Sequence, residues 1–454
     1  MLRAWFVFKF VTIVYNRIMR FGDLLGRGKA MAKAEFVTEM IRDHVRLHRL
    51  RSDQFKTTTL AVLIEQKLSA DKVTKTALLP HILQRGTTSY PTTLAFKRQL
   101  DELYGANLSG DVFKRGERHM IQMVFDFANA TYLQKKPPLL NKGIAFLGEV
   151  LFAPVLEQGT FKPAYVEAEK NNLKKRIQSL QDDKIRYAAK RLTEEMCKNE
   201  PYALHAYGRA SDLEAIDASD LYTYYQDVLQ SCPIDIYLVG DVDLDLTTEL
   251  LDQHIFSHLP QGNRRAETGS TAQHEHHEQV VIDRLDVKQG KLNIGCRTHT
   301  TIDDEAYPAL LVYNGILGGF AHSKLFMNVR EKASLAYYCS SRLESHKGLL
   351  SIQSGIEISN YEQALAIIKE QLTAMKEGNI TEQELDKTKA TLMNQFRERL
   401  DSPYGLIDLH HHAAISKRKW SLPELFDRIA ATTREDVQQV AERVTVDTIY
   451  FLRN

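Results

Sequence analysis

A long-period internal repeat limits the folds that this chain can adopt. Residues 55–64, FKTTTLAVLI, resemble residues 287–296, VKQGKLNIGC, at an offset of 232 residues. The same offset brings Gly86 onto Gly318, and each half ends with a predicted helix followed by a predicted strand. A repeat of this length is typical of an internal duplication, so the 454 residues predict two similar domains instead of three.

The order of predicted elements within each half indicates the fold class. Runs of apolar and β-branched residues, which are typical of strands, occur with helical segments but without strict alternation. This order predicts an α+β fold in which each domain has a mostly antiparallel sheet flanked by helices. We divide the chain into an N-terminal extension at 1–40, a first domain at 41–260, a polar linker at 261–279 and a second domain at 280–454.

The first twenty residues, MLRAWFVFKFVTIVYNRIMR, are apolar with interspersed basic side chains. Lys9 interrupts this run too early for a spanning helix, which needs about 18 apolar residues, and a signal-peptide cleavage site is not evident. Two interpretations stay open. The segment is a basic amphipathic helix on a membrane surface, or its start is assigned too early and Met31 opens the true chain.

Composition argues against several functional classes. The formal net charge is +1, which provides no electrostatic footprint for nucleic acid. Four scattered cysteines without a C-x-x-C pair favour a reducing, cytoplasmic location over a disulfide framework. Two histidine clusters, at 274–277 and 410–412, lack the convergent spacing of metal ligands, so neither predicts a metal site.

Two stretches of the second half resemble the insulinase/pitrilysin family of zinc peptidases, the inverzincins. These stretches are LGGFAHSKLFMNVREKASLAYYCSS at 317–341 and NITEQELDKTKATL at 379–392. In the first half, RGTTSYP at 85–91 is similar to the Gly-Thr turn that follows the family's metal-binding helix. The resemblance covers about residues 45–454 and implies the processing-peptidase-like fold of that family.

The family's motif, H-x-x-E-H, suits zinc hydrolysis because two histidines at i and i+4 share a helix face and the glutamate polarises bound water. The resemblance aligns these three residues with Ala77, Pro80 and His81, and the distal glutamate ligand with Arg176. Zinc needs three or four ligands, and Ala, Pro and Arg supply none. The sequence therefore predicts no metal, no cofactor and no peptidase activity for this chain alone. We interpret His81 as a surface or cavity-lining histidine, and Arg176 as part of a surface ion-pair network with Glu169.

The resemblance also aligns Arg330 and Tyr337 with the family's substrate-binding Arg-Tyr pair. It implies that the guanidinium holds a substrate carbonyl and that the phenol donates to the oxyanion developing on the scissile carbonyl. Two other interpretations stay open. Arg330 could be a structural arginine paired with Glu331 or Glu344, and the neighbouring Tyr338 could take the place of Tyr337.

Two local patterns lead to structural predictions. Pro163 is predicted to begin a long charged helix that continues to about Cys197, because proline is favoured in the first helical turn. Gly318 and Gly319 are predicted to form a tight turn with positive φ, a conformation that glycine adopts without steric cost.

These observations support two main functional hypotheses. In the first, the chain is the non-catalytic subunit of a heterodimeric zinc peptidase, and an active homologue carries H-x-x-E-H and acts on a peptide or unfolded polypeptide. In the alternative, the chain is a scaffold or peptide-binding module with no role in hydrolysis. A third possibility, an autonomous enzyme with a non-standard site, requires metal in the purified chain. The stretches FKTTTLAVLIEQKLS at 55–69, LDELYGANLSGDVFKRGE at 100–117 and DKIRYAAKRLTEEM at 183–196 resemble inactive family members of low-GC Gram-positive bacteria. This closer resemblance implies a link to 5-aminopentanol modification of elongation factor P.

Overall fold

Two β-sheets form the framework of the chain, which a computed structural model describes over residues 35–260 and 278–454. The strands are β1 (Val37–Arg42), β2 (Val45–Arg51), β3 (Thr57–Lys67), β4 (Asn107–Arg115), β5 (Arg118–Ala128), β6 (Leu156–Glu157), β7 (Thr160–Phe161), β8 (Ile234–Gly240), β9 (Gln279–Arg284), β10 (Gly290–Arg297), β11 (Ala336–Glu344), β12 (Leu349–Ile356) and β13 (Thr445–Arg453). The α-helices are α1 (Val73–Ile82), α2 (Thr93–Glu102), α3 (Leu139–Phe152), α4 (Pro163–Asp182), α5 (Lys184–Met196), α6 (Ala218–Ser231), α7 (Leu244–His254), α8 (Tyr307–Asn314), α9 (Tyr361–Lys376), α10 (Glu382–Leu400), α11 (Pro403–Ala414), α12 (Leu422–Ala431) and α13 (Arg434–Arg443). Among these helices, none is both long and apolar enough to cross a lipid bilayer.

The two large sheets share one strand order. It is β1-β2-β8-β3-β5-β4 in the first sheet and β9-β13-β10-β12-β11 in the second, so the orders match position by position once β1 is set aside. The pairs β2–β8 and β9–β13 are parallel, and the other neighbouring strands of both sheets are antiparallel. The predicted α+β fold with mostly antiparallel sheets and flanking helices is therefore confirmed.

The predicted domain boundaries concern segments that lie mostly outside the described residues. The two interpretations of the N-terminus concern residues 1–34, and the linker assigned to 261–279 is described only from residue 278 onward. Strand β1 overlaps the end of the predicted extension, because Val37 to Arg42 pair with β2 at the edge of the first sheet. The boundary at residue 41 stays a prediction, and the first sheet begins a few residues before it.

The single long helix predicted from Pro163 to about Cys197 is wrong, because the chain breaks at Asp183. The backbone of Asp183 is extended, with ψ at 95°, and its Oδ1 accepts hydrogen bonds of 3.1 Å from the backbone N–H groups of Ile185 and Arg186. A carboxylate in this position satisfies the free donors of a new helix N-terminus. The charged segment is therefore two helices, α4 and α5, that can point in different directions.

One helix from each half packs on the sheet of the other half. Helix α5 packs on β10 and β13, where Leu192 shares a buried cluster with Tyr450. Helix α11 packs on β3 and β8, where Ile407 shares a buried cluster with Tyr237. Both faces of the first sheet are thus covered, which explains why β3 is buried at every residue except its two ends.

The glycine pair of the second half is not the tight turn that we predicted. Gly318 and Gly319 lie in a π-helical segment, Gly315–Gly319, and neither has positive φ. A Cβ on Gly318 would lie 2.6 Å from both the backbone nitrogen and Oγ of Ser341. Gly318 is required by the close approach of this segment to β11, not by its own backbone conformation.

Candidate functional site

Helix α1 carries the three residues that the resemblance aligns with H-x-x-E-H, namely Ala77 and His81 at the histidine ligands and Pro80 at the catalytic glutamate. Ala77 is fully buried in the core of the first half, and Pro80 is also buried. His81 lies in the last turn of the helix with 16% of its side chain exposed. Of these three residues, only His81 offers a side chain with a lone pair, and the other two are part of the core.

Arg176, on helix α4, contacts His81 directly. Its Nη1–H group donates to His81 Nε2 at 2.9 Å and lies 3.4 Å from Asp111 Oδ1. Its guanidinium lies over the ring of Tyr207, 5.3 Å from the centroid, and the Tyr207 hydroxyl donates to Asp111 Oδ2 at 3.2 Å. The predicted surface network with Glu169 is therefore wrong, because Arg176 turns toward helix α1 and the edge strand β4.

The protonation state of His81 follows from this contact. An arginine can only donate, so Nε2 of His81 must be the acceptor and the ring is neutral. Burial lowers the pKa of His81 below its usual value, the charge of Arg176 lowers it further, and Asp111 opposes both effects. His81 has an acidic neighbour in Asp111, with 3.9 Å between His81 Nε2 and Asp111 Oδ1.

Glu169 forms a separate, more buried pair with Arg85. Both the Nε and the Nη2 groups of Arg85 contact Oε1 of Glu169. The amide of Asn172 approaches both oxygens of the carboxylate, at 3.4 and 3.3 Å. Only 10% of the Glu169 side chain is exposed, so this carboxylate depends on Arg85 for compensation of its charge.

These residues do not fit the zinc ion that the fold family uses. Zinc is held by neutral imidazoles, thiolates and carboxylates, and a guanidinium is a permanent cation that offers no lone pair. Arg176 points its charge at the only imidazole of the site. Within residues 35–260 and 278–454, no three His, Cys, Asp or Glu side chains are grouped closely enough to hold a metal ion.

Arg330 lies in a second π-helical segment, Phe326–Lys332, which packs against β11. Its guanidinium lies over the ring of Phe326, 4.6 Å from the centroid, and its Nε is 3.8 Å from Glu331 Oε1. The pairing of Arg330 with Glu344, which the sequence left open, is wrong. Glu344 instead accepts backbone hydrogen bonds from Gly116 at 3.1 Å and Lys347 at 2.6 Å. With 42% of its side chain exposed, Arg330 remains accessible from solvent.

Tyr337 lies at an irregularity in the edge strand β11. The register shifts between Ala336 and Tyr338, which leaves Tyr337 as the extra residue with 61% of its surface exposed. Its hydroxyl donates to Glu357 Oε1 at 2.6 Å, and this hydrogen bond raises the pKa of Tyr337. Tyr338 is partly covered, and burial raises its pKa to about 12. Tyr337 is the more available phenol of the two.

The histidines at 410–412 take up separate positions between the two halves. His411 is fully buried, with Nδ1 3.3 Å from the Tyr237 hydroxyl, and His412 contacts His346 at 2.8 Å. The cluster at 274–277 lies outside the described residues. Sequence reasoning missed the contacts of Arg85, Asp111 and Tyr207. Asp111 and Tyr207 are distant from His81 in the sequence, and Arg85 follows the end of helix α1 and pairs with Glu169.

Comparisons with known proteins point to one family of peptidases. The family model described as "Peptidase M16 inactive domain" matches residues 215–392. The chain is 45% identical to "Probable inactive metalloprotease YmfF" of Bacillus subtilis, over 92% of this chain and 98% of that protein. A conserved protein from Enterococcus faecalis V583 has a similar structure, with a TM-score of 0.83, 31% identity and coverage of 93% of this chain and 99% of that chain. The "peptidase M16 inactive domain" structure from Pseudomonas fluorescens, at 16% identity, shows the same fold with a TM-score of 0.77 over 92% of this chain and 98% of that chain.

The chain therefore belongs to the M16 family of peptidases, the insulinase-type family that its motifs resemble. Within this family it is an inactive homologue, in agreement with the names of its relatives and with the loss of the zinc ligands on α1 and α4.

Proposed function

We propose that this chain is the non-catalytic subunit of a heterodimeric M16 peptidase. An active homologue would supply H-x-x-E-H and zinc, and this chain would supply Arg330, Tyr337 and part of the wall around the substrate. The observation that carries the proposal is the contact between Arg176 and His81, which places a fixed cation beside the remaining family ligand. A site with this cation does not suit zinc, while Arg330 and Tyr337 keep their polar groups at the surface.

The chemistry of Arg330 and Tyr337 suits the peptide backbone. A guanidinium presents several N–H donors in one plane, and a phenol presents one O–H donor. Donors of this kind stabilise the negative charge that develops on a carbonyl oxygen during peptide hydrolysis. The segments that carry Arg330 and Tyr337 pack against each other, so both donors are held by one part of the fold. Tyr337 must release Glu357 before its hydroxyl can turn to a substrate.

The decisive experiment measures peptide cleavage by each chain alone and by the mixture with an active homologue. We expect cleavage by the mixture to exceed the sum of the separate activities. The variant Arg330→Ala with Tyr337→Phe should lower this cleavage at least a hundredfold while the two chains still co-purify. Arg342→Ala and Tyr338→Phe, both on strand β11, are matched controls and should retain activity. Full activity of the Arg330, Tyr337 variant would contradict the assigned substrate contacts.

One observation favours the alternative of a scaffold or peptide-binding module. Arg330 and Tyr337 both approach acidic side chains of their own chain, Glu331 and Glu357. If the hydrogen bond to Glu357 persists in the complex, the Tyr337 hydroxyl is not free for catalysis. Peptide binding by the purified chain, with cleavage by the homologue unchanged on mixing, would support this alternative.

The cellular setting follows from the same proposal. All four cysteines are free and buried, which fits the reducing cytoplasm where we place the complex. The resemblance also implies a role in 5-aminopentanol modification of elongation factor P. Deleting the gene should then reduce that modification, and mass spectrometry of elongation factor P from the deletion strain would measure it.

A further inference from the structure

A cavity of about 880 Å³ lies between the two halves, and neither His81 and Arg176 nor Arg330 and Tyr337 line it. Strands β1 and β2 of the first sheet form one side, and helices α10, α11 and α12 of the second half form the other. Its walls are mainly apolar, and they include Phe36, Phe396, Leu409, Trp420 and Leu425. Ligand sites in proteins commonly have volumes of about 300–1,000 Å³ and apolar walls with a few convergent polar groups.

The charged side chains that line this cavity are mostly cationic. They are Arg46, Arg399 and Lys419, and Glu35 is the only carboxylate among the lining residues that the structure describes. Lys419 is exposed at the cavity, close to Trp420. A ligand inside the cavity would therefore meet more positive than negative charge.

Part of this positive charge is not neutralised by the surrounding protein. Arg46 is matched by Asp235, which it contacts through two hydrogen bonds of 2.6 and 2.8 Å. Arg399, in contrast, shares the single carboxylate of Asp408 with Arg115. Two guanidiniums on one carboxylate leave a net positive charge beside the cavity, and 40% of the Arg399 side chain is exposed.

Two histidines of the cavity, His410 and His412, add polar groups but no charge. Burial lowers the pKa of His410 to about 3 and lowers the pKa of His412 well below its usual value. Both rings are therefore neutral at pH 7. The ring of His410 packs on Phe36, with 4.4 Å between the ring centroids, and His412 Nε2 lies 3.8 Å from Asp408 Oδ1, the residue that Arg399 contacts.

We propose that this cavity binds an amphipathic anion, namely a fatty acid in its ionised form. The acyl chain would fill the apolar part between Phe36, Leu409 and Leu425, and the carboxylate would contact Arg399 and Lys419. The apolar walls provide affinity through burial of methylene groups, and the cations select an anionic head group. This site is independent of the peptide-binding role proposed above.

Equilibrium dialysis of the full chain with radiolabelled laurate, below its critical micelle concentration, tests the proposal. We expect saturable binding of about one laurate per chain and at least tenfold weaker binding of dodecanol, which has the same chain without the charge. Absence of saturable laurate binding, or equal affinity for the two ligands, would overturn the proposal.

Two pairs of variants locate the site. Ala413→Trp places a large ring in the cavity and should weaken laurate binding at least tenfold, whereas Ala431→Trp, at an exposed position outside the cavity, should not. Lys419→Met should weaken laurate binding about threefold to tenfold and leave dodecanol binding unchanged, and Lys417→Met is its exposed neighbour and control. Circular dichroism checks that each variant is folded. Unchanged laurate binding in folded Ala413→Trp or in Lys419→Met would show that the ligand lies elsewhere and overturn the assignment.

Discussion

The wall built on helices α1 and α4 differs from the wall built around β11 in how its polar groups are used. In the first wall, the guanidinium of Arg176 donates to His81, and the Arg85–Glu169 pair is largely buried. In the second wall, Arg330 and Tyr337 remain accessible, with one acidic neighbour each. The first wall therefore satisfies its own polar groups, and the second presents donors to solvent. On the function proposed above, this M16 chain has lost the metal chemistry of one half and would bind substrate with the other.

Charge compensation explains why the first wall is stable without a metal. Removal of a dication from a carboxylate-containing pocket would leave negative charge without a partner, which is costly when the groups are buried. Arg85 and Arg176 together bring two positive charges to this region, opposite Glu169 and Asp111. The two arginines balance the carboxylates, although neither can act as a Lewis acid.

The largest expected effect would come from a first wall that binds a metal again, because the difference between the two walls would then disappear. A variant with Ala77→His, Pro80→Glu and Arg176→Glu restores all the family positions around His81. A glutamate is shorter than an arginine, so an ion could occupy the place of the guanidinium. We expect about one zinc ion per chain by elemental analysis after dialysis. The matched variant with Arg176→Gln lacks the third ligand and should bind zinc at least about a hundredfold more weakly. Equal zinc content in the two variants would contradict the alignment of Arg176 with the distal ligand.

The second largest effect concerns the stability of the two walls. Arg85→Met leaves Glu169 buried without its cation, so the free energy of unfolding should fall by about 2–4 kcal/mol. Arg330→Met removes an exposed side chain and should change it by less than about 0.5 kcal/mol. Urea denaturation of both variants measures the difference. A double variant, Arg85→Met with Glu169→Gln, should recover part of the loss, and no recovery would mean that packing of Arg85 matters more than its charge.

The third prediction concerns pH and the His81 contact. Because the folded-state pKa of His81 is lowered, the unfolded chain takes up the proton first as the pH falls below about 6.5. The contribution of His81 to stability is therefore lost with acidification and is unaffected above this range. Arg176→Met removes one cause of the shift, so the pKa of His81 should rise and its part of the pH dependence should shrink by less than about 1 kcal/mol, since 39% of the Arg176 side chain is exposed.

NMR titration of His81 and urea denaturation at pH 7.5 and 5.5 provide the measurements for this prediction. Lys175→Met, an exposed change on the same helix, is the control and should leave the pKa of His81 unchanged. An unchanged pKa of His81 in Arg176→Met would show that burial alone sets the protonation state of this residue.

The smallest expected effect distinguishes an exposed binding residue from a structural one. Tyr337→Phe removes a hydroxyl at an exposed position, so the free energy of unfolding should change by less than about 0.5 kcal/mol. The same change at the partly covered neighbour, Tyr338→Phe, provides a reference value for the free energy of unfolding. Thermal or urea denaturation at pH 7 is sufficient. A loss above 1 kcal/mol for Tyr337→Phe would indicate that its bond to Glu357 holds β11 in place.

Some features of the fold and the site followed from the sequence because they depend on local order along the chain. The repeat predicted two sheets of the same kind, and β3 and β10 occupy the same position in their sheets. The placement of Ala77, Pro80 and His81 on one helix followed from the resemblance to the family's metal-binding helix.

Other features depend on contacts between distant segments and could not be predicted in this way. Arg176 and Glu169 lie two helical turns apart on α4, yet they pair with different partners, His81 and Arg85. The sequence showed the charges but not the break at Asp183 or the direction of each side chain. The requirement for glycine at position 318 has the same origin, because it comes from the approach of β11.

Helices α5 and α11 each pack on the sheet of the other half, and this packing holds the two halves together. Each half would lose the cover of one sheet face if the halves moved apart, so they should separate only in a transition that also exposes both apolar faces. Cleavage of the peptide backbone between residues 260 and 278 should then leave two fragments that stay associated, and the length of that connection could change in evolution at little cost to the architecture.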